Sequence, residues 1–393
     1  MFDDIARIRV DIETGQVRLG GTDGRVLTAR GEPFTADFGD TFRSFTYFPG
    51  TNLVALVGSL GETLVVEIQA GRPSDECRRG RPVVYLDQNK WVLLAQALHS
   101  PEKVHPPELG PALELVRRAR RGELILPLSS GHIVEASYVD GQQRQRVAST
   151  MIDISRGWTM RDPVGVQRME LTGHIDAFSR GTAPQVVDGV IALDARPSFT
   201  WNKPDDDLDL ADVWPLLRPV LGAIGSLVAL YSTLLADERL ISGRISLEEW
   251  AQWHNDLAAH ISASSRPAES KRLFTMAKFV EDNVGTLDDI MTGRLTDEQT
   301  RRWLLEESEE RIAAMPFTGR FREVVHMRLM NPRDRWKPND LVDLLFLGCA
   351  SAYADHVIGE RKTIDYLRRA ERRCSDGAEL HTTIHSLLQE LDR

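Results

Sequence analysis

One stretch limits the possible folds more than any other: Arg81 to Ala95, reading RPVVYLDQNKWVLLA. Pro82-Val83-Val84-Tyr85-Leu86 is a short apolar, β-branched run, the pattern of a strand buried on both faces. It stops at Asp87, after which Trp91, Leu94, Ala95 and Leu98 recur at helical spacing. A buried strand that feeds a helix is half of a βαβ unit and calls for a parallel sheet. The pattern then repeats. Pro111–Arg121 reads as a helix ended by Gly122, and its arginines suit the negative end of the helix dipole. Glu123–Leu128 reads as a second buried strand, and Ser129 or Ser130 caps a further helix that carries Glu135 in its early turns. Asp87 thus falls at the C-terminal end of a parallel strand, where open α/β sheets hold their ligands. It stands equally where a helix N-cap belongs.

Before this core, residues 1–75 read as a small antiparallel β domain, a candidate site for a protein partner. Ile8–Ile12 and Gln16–Leu19 alternate around Thr14-Gly15, and Phe45–Phe48, Leu53–Val57 and Leu64–Ile68 follow, each punctuated by Gly or Pro. Gly71–Asp75 is the expected linker. The α/β core occupies residues 81–150 and resumes over 331–393, and the 151–330 segment between them is expected to be a mostly helical insertion. Its helical runs are Leu216–Leu235, Leu247–Ile261, Lys271–Val284, Asp297–Ala314 and Phe321–Met330. In the second core part, Pro338–Tyr353 reads as a helix and Ala354–Gly359 as a final strand, with helices over 363–371 and 378–391.

Charge decides what such a core handles. With 48 Lys and Arg against 58 Asp and Glu the chain carries −10, which disfavours a broad basic surface for duplex nucleic acid. It leaves room for a compact acidic site whose bound cations invert the local charge. No window approaches the apolar length of a membrane span, and the first residues lack a signal-peptide core. Cys77, Cys349 and Cys374 lie far apart without a C-x-x-C, as expected of reduced thiols in the cytoplasm.

Acids recur at equivalent places. Asp87 follows the first strand, Glu135 lies near a helix start, Asp343 sits in a helix's first turn, and Glu360 follows the last strand. In a parallel sheet these places share one edge. Clustered carboxylates repel one another unless cations neutralise them, and hard ions such as Mg²⁺ or Mn²⁺ take such oxygen ligands. Asp340, three residues from Asp343, is a further candidate ligand or a support behind one, or else a helix cap. Glu360 has the alternative of pairing with Arg361 or Lys362, and Asp355 reads as structural.

With VVYLDQNKW, LPLSSGHIVEAS and NDLVDLLFLGCASAYADHVIGERKT in place, the chain resembles the PIN-domain nucleases and their PIN-like relatives over roughly 81–150 and 335–375. The resemblance implies a PIN-like parallel sheet flanked by helices, interrupted here by the large helical insertion. It implies Mg²⁺- or Mn²⁺-dependent hydrolysis of phosphodiesters, mostly in single-stranded RNA. Asp87, Glu135 and Asp343 match the family's three central acids, and Glu360 stands where a fourth, often Asp, is expected. The alternatives are a catalytically silent PIN-like scaffold that binds nucleic acid or a protein, and a phosphohydrolase of small phosphate esters.

Other patterns carry less. Asp205–Asp209 has the acid spacing of a calcium loop but lacks its central Gly and distal Glu. His381 and His385 are spaced for one helical face, as zinc ligands can be. Trp201, Trp214, Trp250, Trp253, Trp303 and Trp336 offer base-stacking surfaces or simply core. There is no Walker loop, dinucleotide fingerprint or nucleophile elbow.

Overall fold

The computed structural model describes residues 4–30, 42–58, 61, 63–69, 74–139, 141–198, 218–236, 247–374 and 377–393. The Asp205–Asp209 run, Trp201, Trp214 and linker residues Gly71, Arg72 and Pro73 lie outside them.

The N-terminal strands are β1 (Ile5–Asp11), β2 (Gln16–Gly21), β3 (Val26–Arg30), β4 (Phe42–Phe48), β5 (Leu53–Gly58) and β6 (Thr63–Glu67). They form one antiparallel sheet in the order β3-β2-β1-β4-β5-β6. Asp11 makes the first turn by accepting from the Thr14 amide (2.9 Å), with Gly15 at a φ of 66°. β3 is exposed along its whole length, so no alternation marks it in the sequence. The inner face, including Ile8, Val10, Phe45, Tyr47, Val54 and Leu56, belongs to the same hydrophobic cluster as the helices Gln88–His99, Pro106–Arg121, Gly141–Ser155 and Arg218–Leu235. The sheet shares its core with the α/β unit.

Buried Glu67 fastens this junction. It takes both ends of the Arg81 guanidinium (2.8 and 2.7 Å), pairs with Arg156 (3.2 Å) and accepts from the Trp158 indole (3.2 Å). Burial alone would raise its pKa. The Arg81 hydrogen bonds and charge, with Arg156 and Trp158, hold it below the usual range instead.

The second sheet is the parallel one. β7 (Val84–Leu86) pairs with β10 (His356–Ile358), which pairs with β11 (Glu379–His381). On its other edge a parallel bridge joins Val83 to Ile125, and a second joins Leu128 to Thr159 of β8 (Thr159–Met160). β8 then meets β9 (Ile191–Ala192) antiparallel. Across the sheet the order is β11, β10, β7, residues 124–128, β8, β9. The chain therefore winds outward from β7 on one side, returns, and winds outward from β10 on the other. The reversal lies between β7 and β10.

Successive residues of these strands point to opposite layers. Val84, Leu86 and Ile358 join the cluster under the antiparallel sheet. Tyr85, Val357 and Leu380 join a second one with the helices Pro316–Leu329, Asp340–Tyr353 and Arg361–Ala370. Arg78 and the Val83 amide (2.6 Å) both reach Asp355, which confirms it as a structural residue.

Four expectations change. Thr159–Met160, within the segment expected to be mostly helical, is a strand that a bridge joins to Leu128 of the core. The strand at 354–359 is not the last, because β11 follows it, and the helix expected over 378–391 is confined to Ile384–Leu391. Arg218–Leu235 is, by length and composition, a helix apolar enough to cross a membrane, although 56% of it is buried inside this fold. Leu247–Ala263, Ala268–Asp282, Asp297–Arg302 and Ser308–Ala313 lie close to runs read from the sequence, whereas Val284–Met291 falls between two of them.

Candidate carboxylate centre

The reversal of winding between β7 and β10 is where doubly wound sheets open a crevice at their carboxyl ends. Asp87 is the residue after β7, and its amide donates to the Ile358 carbonyl (2.9 Å), locking it against the end of β10. It occupies the cap position of the Gln88–His99 helix, yet its carboxylate makes no capping hydrogen bond. Glu360 stands at the matching position of the Arg361–Ala370 helix, also without a capping bond. Asn89, in the first turn after β7, donates to Glu360 Oε1 (2.9 Å) and so ties the two strand ends together.

Glu135 comes from the Ser130–Ser137 helix. Ser129 caps that helix, its hydroxyl accepting from the His132 amide while His132 Nδ1 accepts from the Ser129 amide. This fixes the tautomer: His132 Nε2–H donates to the Leu86 carbonyl (2.7 Å), beside Asp87. Burial holds the imidazole near pKa 4 and hence neutral, stacked on Tyr85, whose hydroxyl meets Ser129 Oγ (2.8 Å). His132 is a strut, and Ser129 is a cap. Gly131 allows the helix its close approach, since a Cβ there would lie 2.7 Å from the Phe346 ring of the helix that carries Asp343.

Asp343 and Asp340 lie in the first turn of the Asp340–Tyr353 helix. Asp340 Oδ2 accepts from Arg328 Nη2 (2.6 Å) and from the Lys337 amide (2.8 Å). Arg328 itself is buried, lies 3.9 Å over the Trp336 ring and also reaches Asp334 (3.3 Å). Asp340 is thus held as a brace for the turn that presents Asp343.

The acids feel one another's charge. Glu135 is raised to about 8 by burial, then by the charges of Asp343, Asp87 and Glu360. Asp343 is raised to about 7 by burial and by Asp87, Glu360 and Asp340, against a smaller pull from Arg328. Asp87 is raised to about 6 by burial and by Glu360, with the Gln88 amide, Lys90 and Asn89 working the other way. Among the described residues, none of Asp87, Glu135, Asp343 and Glu360 forms an ion pair. Also among them, no group of three or more His, Cys, Asp or Glu side chains is set, as it stands, to hold a metal ion.

The donor set fits a hard divalent ion: all oxygen, crowded, and short of positive charge. Sequence reasoning named these acids but not their supports Arg328, Asp334 and Gly131. An arginine stacked on a tryptophan eight residues away leaves no periodic trace. The helical pairing of His381 and His385 does not occur, because His381 is in β11 and His385 in the following helix. Trp303 and Trp336 are core, whereas Trp253 is 39% exposed beneath the Lys278 ammonium. Compared with models of known families, with curated proteins and with solved structures, the chain finds no match.

Proposed function

We propose that this protein is a divalent-metal-dependent nuclease that hydrolyses phosphodiester bonds, with RNA as its substrate, and that its core is PIN-like. One observation carries the reading: buried Asp87, half-buried Glu135 and Asp343, and Glu360, from distant parts of the chain and without ion-pair partners, gather where the strand winding reverses between β7 and β10, and three of them have raised pKa values. Asp87, Glu135 and Asp343 would hold Mg²⁺ or Mn²⁺, with Glu360 completing the set. Such an ion, when bound, supplies charge neutralisation at the phosphate and makes water a better nucleophile.

The chain's own contribution is positioning. Asn89 keeps Glu360 beside Asp87, His132 holds the Glu135 helix against the end of β7, and Arg328 with Asp340 fixes the turn that bears Asp343. In the metal-free protein at neutral pH the Glu135 carboxyl keeps its proton, which cation binding would displace.

Asp87→Asn tests the reading. It should lower Mn²⁺-dependent cleavage of a labelled single-stranded RNA by about 100-fold or more, with an unchanged circular dichroism spectrum. Undiminished cleavage would remove Asp87 from the chemistry. A second reading is a silent scaffold of the same fold. Calorimetric titration with Mn²⁺ separates the two, since the scaffold would bind weakly or not at all and would bind RNA without cutting it.

A further inference from the structure

A groove of about 930 Å³ runs along the Arg361–Ala370 helix, walled on its other side by residues 331–334. Its cations are Arg333, Arg361, Lys362, Arg368 and Arg369, and its acids are Asp334 and Asp365. Both acids are already engaged: Asp334 by Lys362 (2.5 Å) and Arg328 (3.3 Å), and Asp365 by Arg368 (3.6 Å). Exposed Arg333 and Arg361 form no ion pair with any described residue. A chain of net charge −10 thus concentrates surplus positive charge in one groove.

Both walls of the groove are tied to elements of the carboxylate centre. Its helix follows directly on Glu360, and its opposite wall is bound through Asp334 and Arg328 to Asp340, on the helix that carries Asp343. Ten helical residues give it a length of roughly 15 Å. A volume of this order takes a few units of a single strand rather than a two-stranded helix. No exposed aromatic ring lines it. Tyr366, the one aromatic residue there, is 6% exposed, spends its hydroxyl on Asp334 (2.7 Å) and lies under Arg369 (4.3 Å).

We infer that this groove is the track of a single nucleic-acid strand, gripped at its phosphates by Arg333, Arg361 and Arg369 and not at its bases. The strand's destination, the carboxylate centre, rests on the nuclease reading; the grip does not. Phosphate contacts carry no sequence information, so binding is sequence-tolerant and strongly salt-dependent.

The test is fluorescence anisotropy of fluorescein-labelled 12-mers with the full chain in EDTA, where divalent-dependent cleavage is silent. Oligo-U, oligo-A and oligo-dT should bind with Kd values within about threefold of one another. The Arg333→Ala/Arg361→Ala variant should bind about tenfold or more weakly, and its log–log salt slope should fall by about 1.4, roughly 0.7 per lost phosphate contact. Both positions are exposed, and thermal melts confirm the fold. Arg361→Glu alone should weaken binding more than Arg361→Ala. Asp343→Asn should bind at least as well as wild type. Unchanged affinity and slope in the double variant, no binding by wild type at low salt, or a preference above tenfold for one base or sugar would overturn the groove. Intact groove binding with no Mn²⁺-dependent cleavage would overturn the nuclease reading alone, and cleavage with no effect of the arginine variants would overturn the groove alone.

Discussion

Glu135, Asp343 and Asp87 each hold a proton more tightly in the folded chain than their ordinary values of 4.5, 3.8 and 3.8 allow. Their contribution to stability is full below about pH 4, where both states are protonated. It is lost as pH rises through the folded values of about 6, 7 and 8. Metal-free protein should therefore melt at a lower temperature at pH 8.5 than at pH 5.5. That gap should shrink in Glu135→Gln/Asp343→Asn, and Mn²⁺ should raise the wild-type melting temperature more at the higher pH. Calorimetric scans at the two pH values, with and without Mn²⁺, check this; an equal gap in the double variant would place the pH sensitivity elsewhere. Glu67, held low by arginines, responds in the opposite sense, losing its contribution only as pH falls through its depressed value.

At the scale of elements, two contacts set how the helices reach the centre. Gly131→Ala would drive a Cβ into the Phe346 ring, at a cost of about 1–3 kcal/mol in urea unfolding, and would draw Glu135 away from Asp343. Weaker Mn²⁺ binding should accompany it. Glu170, 1% exposed on the Pro163–Arg180 helix, accepts from the Phe317 amide (2.7 Å), the Thr318 amide (2.8 Å) and hydroxyl (2.6 Å) and the Tyr353 hydroxyl (2.6 Å). Glu170→Ala leaves these buried donors unpaired and should cost about 3 kcal/mol or more, read from the same unfolding curves.

The elements legible in the sequence were those with enough length or chemistry to leave a period. VVYLD and the helix after it were plain, as were the acids at strand ends. β8 was not, being two residues long, nor was β11, whose Glu-Leu-His holds no β-branched residue and runs on into a helical pattern. β3 was hidden because neither of its faces is buried. The convergence of Asp87 with Glu360 was legible only as a consequence of parallel pairing, and Gly131 and Arg328 act through contacts that no local pattern records.

On the scale of the whole molecule, the antiparallel sheet and the α/β unit are one folding problem. Ile8, Val10 and Tyr47 share a cluster with Trp91, Leu115 and Leu227, so removing residues 1–75 bares one side of a shared core. Such a truncation should lose its cooperative thermal transition or aggregate on expression, as calorimetry or gel filtration would show; a soluble, cooperatively melting fragment would mean the two parts are independent. The helical segment carries a cluster of its own around Trp303, Ile312 and Met315, which is how so long an interruption sits between β9 and β10 without disturbing the sheet.

Leu86 pairs with Ile358, and Asn89 reaches Glu360 across 271 positions of chain. A polypeptide still emerging from the ribosome, with everything up to residue 335 already made, has Asp87 and Glu135 but neither Asp343 nor Glu360, one wall of its acidic crevice and not the other. Whatever chemistry the crevice performs is withheld from the nascent chain until that far partner arrives, which is a safeguard for a protein synthesised on the very class of molecule it is proposed to cut.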